Sequence, residues 1–184
     1  MTEERFLVTG ALGCIGAWTC ALLAGEGVDV VGFDFGTDDR RLRLATDAEI
    51  RLVQGDIIDG KAFARLLDEH EITHVIHLAA LLLPQIKPDP PYGTAVNIGG
   101  TVNVLDAAKT RGIRIAYASS AAVYSTVDDT GGAVSNDAVG HPVTFYGVTS
   151  KRARGWRGSS GRKSGCRRSA SGRGSSTGPG ATTV

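Results

Sequence analysis

Gly10, Gly13 and Gly16 stand three apart in the run Gly10-Ala-Leu-Gly-Cys-Ile-Gly16. Glycines spaced this way suit the chemistry of holding a phosphate. With no Cβ, the turn can bring its backbone against a pyrophosphate, and the helix that follows offers amide donors and the positive end of its dipole. A glycine triplet alone reads equally well as a tight turn with close helix–strand packing. Here the apolar run Phe6-Leu-Val-Thr9 precedes it, a helical stretch to about Gly25 follows it, and Asp34 lies 18 residues beyond Gly16. All three agree with a dinucleotide site. An acid at the end of the second strand accepts both ribose hydroxyls and repels a 2′-phosphate, which favours NAD over NADP. Arg40 and Arg41 follow closely and could receive a phosphate, so the preference is not absolute.

Other candidates are less specific. Asp56 could meet the adenine edge, although an aspartate at such a place is more often a turn residue. His77 lies in an apolar strand and reads as a satisfied core histidine without chemistry. Ser120 and Tyr146 are candidates for proton transfer. A tyrosine with its ordinary pKa of about 10 is a poor base at neutral pH, and needs a neighbouring ammonium and the cofactor's cationic ring to lower it. A serine hydroxyl can hold the substrate oxygen that gains or loses the proton.

These residues need a scaffold, and the hydrophobic periodicity supplies one. Strands are expected at Phe6–Thr9, Val28–Phe33, Ile50–Val53, His74–Leu78 and Ile113–Ala118. Helices are expected to about Gly25, over Lys61–Glu69 with Phe63, Leu66 and Leu67 on one face, and over Val96–Arg111 with Val104, Leu105 and Ala108 at helical spacing. Strands alternating with helices imply right-handed crossovers and a parallel sheet. The fold class is therefore α/β, a Rossmann-type doubly wound parallel sheet. Gly10, Asp34, Asp56, Ala79 and Ser120 each fall at or just past the carboxyl end of a strand, the edge where open parallel sheets bind ligands.

Composition narrows the class. The 184 residues are 42% hydrophobic and 21% charged, which suits a globular domain with a sizeable core. The most apolar run, residues 75–83, is too short to span a bilayer. The first strand begins almost at once, leaving no room for a signal peptide. Cys14 and Cys20 are six apart on one helix and point to different faces, and Cys166 makes an odd count. No disulfide framework is implied, and a reducing, cytoplasmic setting is expected. The net charge of +1 conceals an asymmetry: residues 1–149 hold 11 basic and 19 acidic side chains, whereas residues 150–184 hold nine basic and none acidic. That tail, rich in Gly, Ser and Arg, has no Leu, Ile, Phe or Tyr and is expected to be disordered. Its basic residues could neutralise nucleic-acid phosphates, but Trp156 is its only aromatic, so a nucleic-acid arm is disfavoured.

Taken together, Gly10-x-x-Gly13-x-x-Gly16, Asp34, Gly55-Asp56-Ile57, His77-Leu-Ala-Ala80, Asn97 with Gly100-Thr101, Ser119-Ser120-Ala-Ala-Val-Tyr124 and Tyr146-Gly resemble the extended short-chain dehydrogenase/reductase family, in particular its NAD-dependent epimerase/dehydratase group. The resemblance implies that the backbone of Cys14 and Ile15, with Asp34, Asp56, Ile57, Leu78, Ala79, Ala80 and Asn97, lines NAD. It implies that Ser120 hydrogen-bonds a hydroxyl of a nucleotide sugar while Tyr146 removes its proton. A transient ketosugar would then be reduced from its other face. It also implies a homodimer for an intact relative, no metal, and no membrane contact. The dehydratase branch carries an Asp-Glu pair where Ala121 and Ala122 stand here, so epimerase or simple dehydrogenase chemistry is favoured.

The pattern breaks after Tyr146. The family has lysine four residues after the tyrosine; here that position is Ser150, and Lys151 comes one too late, roughly 100° round a helix. Loss of one nucleotide at the codon of Thr149 accounts for this. With permitted third bases, Thr149 to Gly161 then reads TKQACEGVARVFW, and Ser169 to Gly180 reads VGFRPWVVYGPG, which resembles the family's sixth strand and the segment after it. The expected organisation is an incomplete NAD(P)-binding domain over 1–149, an out-of-frame tail over 150–184 and no substrate domain. Alternative readings are a catalytically inactive NAD-binding fragment and a nucleic-acid binder acting through the tail.

Overall fold

The computed structural model describes residues 4–124 and 140–151, so the expectations for residues 152–184, Cys166 among them, lie outside the described residues. Five parallel strands form one sheet: β1 (Arg5–Thr9), β2 (Asp29–Asp34), β3 (Arg51–Gln54), β4 (His74–His77) and β5 (Arg114–Tyr117), in the order β3-β2-β1-β4-β5. The register runs Leu7↔Val31 and Val8↔Gly32 on one side of β1, and Leu7↔Val75 and Val8↔Ile76 on the other. The chain therefore winds outward from the centre through β2 and β3, then returns across the sheet to β4 and β5. Each strand comes within a residue or two of its expected place, because a parallel strand packed on both faces reads as a short continuous apolar run.

Consecutive residues of a strand face opposite sides of the sheet, and both sides are packed. Leu7, Val31, Phe33 and Val75 meet Phe63, Leu66 and Leu67 of α3 (Gly60–Glu69) and Val104 of α6 (Thr101–Thr110). Val8 and Val30 meet Ala17 and Cys20 of α1 (Cys14–Gly25) and Leu42 of α2 (Arg40–Ala45). Asp59 begins α3 by accepting hydrogen bonds from the amides of Lys61 and Ala62, an N-cap that satisfies two otherwise free donors. Burial on one stripe of α3 matches the expected apolar face.

The region between β4 and β5 departs from expectation. Two short helices, α4 (Leu83–Ile86) and α5 (Pro90–Thr94), precede the long one. Asp89 caps α5 by accepting from the Tyr92 amide at 3.0 Å, and Pro90 and Pro91 occupy its first turn, where proline loses no intrahelical bond. Between α5 and α6 the backbone widens into a π-helical turn, Ala95–Gly100. The helix expected to begin at Val96 thus begins at Pro90. Among the described residues, 145–151 form a further helical segment, α7.

Candidate functional site

The carboxyl ends of β1, β2, β3 and β4 open onto a cleft of about 470 Å³. Its floor is the glycine turn. Gly10 has φ +73°, and a Cβ there would sit 2.8 Å from the Ala79 amide nitrogen; a Cβ on Gly16 would sit 1.9 Å from the Gly10 carbonyl oxygen. Neither position admits a side chain, because backbone lies where the Cβ would go. Gly13 is the N-cap of α1 and provides no side-chain cap, so the first amides of that helix stay open to an anion. Cys14 and Ile15 contribute these amides while their side chains face solvent.

Asp34 ties the cleft together. Its two carboxylate oxygens accept from the Leu12 amide and the Gly36 amide, each at 2.9 Å. Each oxygen keeps a further lone pair for a ribose hydroxyl. Asp38 and Arg41 also face the cleft. Arg40 is spent on Asp38, whose carboxyl is held down at about 2 by that guanidinium. Of the two arginines available for a phosphate, only Arg41 lines the cleft.

Asp56 performs the turn role, accepting from the Ile58 amide at 2.9 Å, and also lines the cleft with Ile57, Leu78, Ala79 and Ala80. Asn97 does not line it. Its amide oxygen accepts from the Leu81 amide at 2.8 Å and its amide nitrogen donates to the Leu81 carbonyl at 2.9 Å. It serves the cleft through the loop it clamps, while Val96 takes the lining position. Sequence reasoning missed Tyr92 and Gln85, which α4 and α5 bring to the cleft wall. Burial, followed by the charges of Asp56 and Asp89, pushes the Tyr92 phenol up. The signal lay in Asp89-Pro-Pro, a capped helix start that reads as a turn.

Ser120 and Tyr146 lie outside the lining of that cleft. Ser120 caps the 3₁₀ turn Ala121–Val123, its hydroxyl oxygen accepting from the Ala122 amide. The segment ahead of and within α7 docks on that turn: a Cβ on Gly147 would sit 2.1 Å from the Ala122 carbonyl oxygen, and one on Gly140 2.2 Å from that of Val123. Tyr146 is thereby held beside the turn that Ser120 begins. Lys151 turns its ammonium to the Gly140 carbonyl, and Thr149 is buried with its hydroxyl donating to the Tyr146 carbonyl at 2.9 Å. The displaced lysine is thus engaged on the backbone of the preceding loop.

His77 is buried, and desolvation pulls its pKa down to about 4. Cys20 is buried and its thiol is pushed up to about 12 by desolvation; both Cys14 and Cys20 are free. Among the described residues no cluster of three or more metal-ligating side chains occurs, and no helix is long and apolar enough to cross a membrane.

A central glycine turn running straight into an uncapped helix, with an acid at the end of the neighbouring strand, defines a dinucleotide-binding Rossmann domain. Residues 6–167 match the NAD dependent epimerase/dehydratase family, and the chain belongs to that family. It is 34% identical over 155 residues to UDP-glucuronate 4-epimerase 1 of Arabidopsis thaliana, covering 79% of this chain and 36% of that protein. It is 35% identical over 128 residues to UDP-glucose 4-epimerase of Mycolicibacterium smegmatis, covering 66% of this chain and 41% of that protein. In three dimensions it resembles UDP-glucose 4-epimerase of Thermus thermophilus, solved with NAD, at TM-score 0.78 and 25% identity, covering 88% of this chain and 52% of that one. The chain thus spans well under half the length of the two curated relatives and about half that of the solved one.

Proposed function

We propose that this chain is the NAD-binding portion of a nucleotide-sugar epimerase. The observation that carries the reading is the approach of Gly10 to Ala79, where backbone fills the space a Cβ would need, beside the open amides at the start of α1. These residues fit a dinucleotide: the amides receive the pyrophosphate, Asp34 receives the ribose hydroxyls, and the wall from Asp56 to Ile57 meets the adenine. The nicotinamide, when bound, supplies a hydride acceptor and donor. In the intact enzyme Ser120 would hold the reacting sugar hydroxyl and Tyr146 would take its proton. Ala121 and Ala122 offer no acid pair for dehydration, which supports epimerisation or simple dehydrogenation.

Proton transfer needs a cation near the tyrosine, and Lys151 is committed to Gly140 instead. The chain as it stands therefore binds NAD without turning over a sugar. Calorimetric titration of the 184-residue chain with NAD and with NADP tests this, beside a version with the reading frame restored after Thr149. Saturable binding of NAD, with NADP weaker by about tenfold or more as expected when an acid faces the 2′ position, supports the reading. Absence of NAD binding by both versions refutes it.

A further inference from the structure

Buried polar groups are costly unless hydrogen-bonded, and in the described residues the buried polar side chains are Thr9, His77, Asn97, Thr101 and Thr149. Thr9, His77 and Thr101 form one continuous chain of side chains, which Thr101 joins to the main chain of Asn97. The Thr101 hydroxyl donates to the Asn97 carbonyl at 2.9 Å, the bond to the preceding helical turn that Thr19, Thr94 and Thr110 also make. With its proton used there, the Thr101 oxygen can only accept from His77, 3.1 Å from Nε2. His77 Nδ1 is then an acceptor, and the Thr9 hydroxyl, 2.7 Å away, must donate to it. The Thr9 hydroxyl oxygen in turn accepts from the Ala79 amide at 3.2 Å and, at 3.2 Å, from the Leu78 amide, which also donates to the Thr9 carbonyl at 3.1 Å. In this arrangement every donor has its acceptor; the opposite tautomer of His77 would leave the Thr101 hydroxyl unable to serve both His77 and Asn97.

Both ends of the chain reach backbone of the cleft wall. Thr9 fixes the amides of Leu78 and Ala79. Asn97, in the π-helical turn beside Thr101, fixes the amide and carbonyl of Leu81. Ala79 is the residue against which Gly10 packs with no room for a Cβ, so small displacements of this segment change the shape of the pyrophosphate turn. We propose that His77 is a positioning residue: in its Nε2-H form it couples Thr9 to Thr101 and so holds residues 78–81 at the distance from Gly10 that NAD requires. This inference rests on the reading of the cleft as an NAD site.

The test uses the full chain and three measurements. First, nitrogen-15 NMR of the imidazole at neutral pH is expected to show a neutral ring protonated on Nε2; a ring protonated on Nδ1 overturns the proposal, and this needs no variant that might fail to fold. Second, Thr101→Val removes the acceptor for His77 while keeping the side-chain shape. It is expected to raise the Kd for NAD about tenfold, or about 1.4 kcal/mol, whereas Thr101→Ser, which keeps the hydroxyl, stays close to the unsubstituted chain. Third, hydrogen exchange at the Ala79 and Leu81 amides is expected to accelerate in Thr101→Val more than at amides within β1 and β2. A folded Thr101→Val with unchanged NAD affinity, or one whose exchange rises uniformly across the sheet, overturns the positioning role. Failure of both the unsubstituted chain and the frame-restored version to bind NAD instead removes the dinucleotide reading and the inference resting on it.

Discussion

Gly10 shows how strictly a single position can be constrained. Its left-handed backbone already disfavours any side chain by about 1–2 kcal/mol, and the Ala79 backbone occupies the space a methyl group would need. Gly10→Ala is expected to cost about 2 kcal/mol or more of stability and to abolish NAD binding, measured by urea denaturation and calorimetry. A variant of unchanged stability would mean that the turn relaxes freely and that the glycine is not required by shape. His77 carries a second residue-scale expectation. Its pKa is depressed from 6.5 to about 4 by burial. Between these values the unfolded chain binds a proton that the folded chain does not. Stability is therefore expected to fall as pH drops from 6.5 to 4, by about 3 kcal/mol in total for this group, and to show no further change from it below or above that window. Denaturation midpoints at several pH values, compared with His77→Gln, isolate the contribution. Equal pH dependence in both proteins would remove it.

At the level of elements, the hydrogen bonds of the cleft connect structures distant in sequence. Asp34 ends β2 yet fixes the turn after β1 through Leu12. Asn97 sits in the π-helical turn yet fixes the loop after β4 through Leu81. That turn is where the helix before α6 departs from regular geometry, and Gly100 within it packs against Ile57, leaving no room for a Cβ. π-Helical turns often mark functional sites, and this one carries the residue that clamps the cleft wall. The helix start at Pro90 escaped the sequence reading because two consecutive prolines signal a turn, whereas Asp89 makes them the first turn of a capped helix.

Over the whole molecule, α1 is apolar on both sides. Ala17 and Cys20 are buried, but Ile15, Trp18 and Leu22, spaced on the opposite face, are 67%, 58% and 68% exposed. A helix apolar all round normally has neighbours all round. The chain is thus expected to self-associate and to bind an apolar dye. Substituting Trp18 and Leu22 by lysine is expected to reduce both effects, seen by light scattering and dye fluorescence, while leaving NAD affinity within about twofold. Unchanged association would place the sticky surface elsewhere.

The order of elements, the parallel sheet and the phosphate turn were legible in the chain itself, because local pattern expresses them: short apolar runs for buried strands, three-and-four spacing for helices, glycines where a Cβ cannot be tolerated. Asp34 was legible for the same reason, since a strand end lies at a countable distance from the turn. The lysine displaced by one position after Tyr146 was also visible by counting. Only the folded structure decided what the buried polar residues do. His77 read as a satisfied core histidine, which it is, but by which partners was not legible, and Asn97 read as a cofactor ligand. Their partners, Thr9, Thr101 and Leu81, are separated from them by up to 68 residues, and the network exists only once β1, β4 and the π-helical turn are packed side by side. Hydrogen bonds across such separations depend on sheet order and helix registry, which no local pattern encodes.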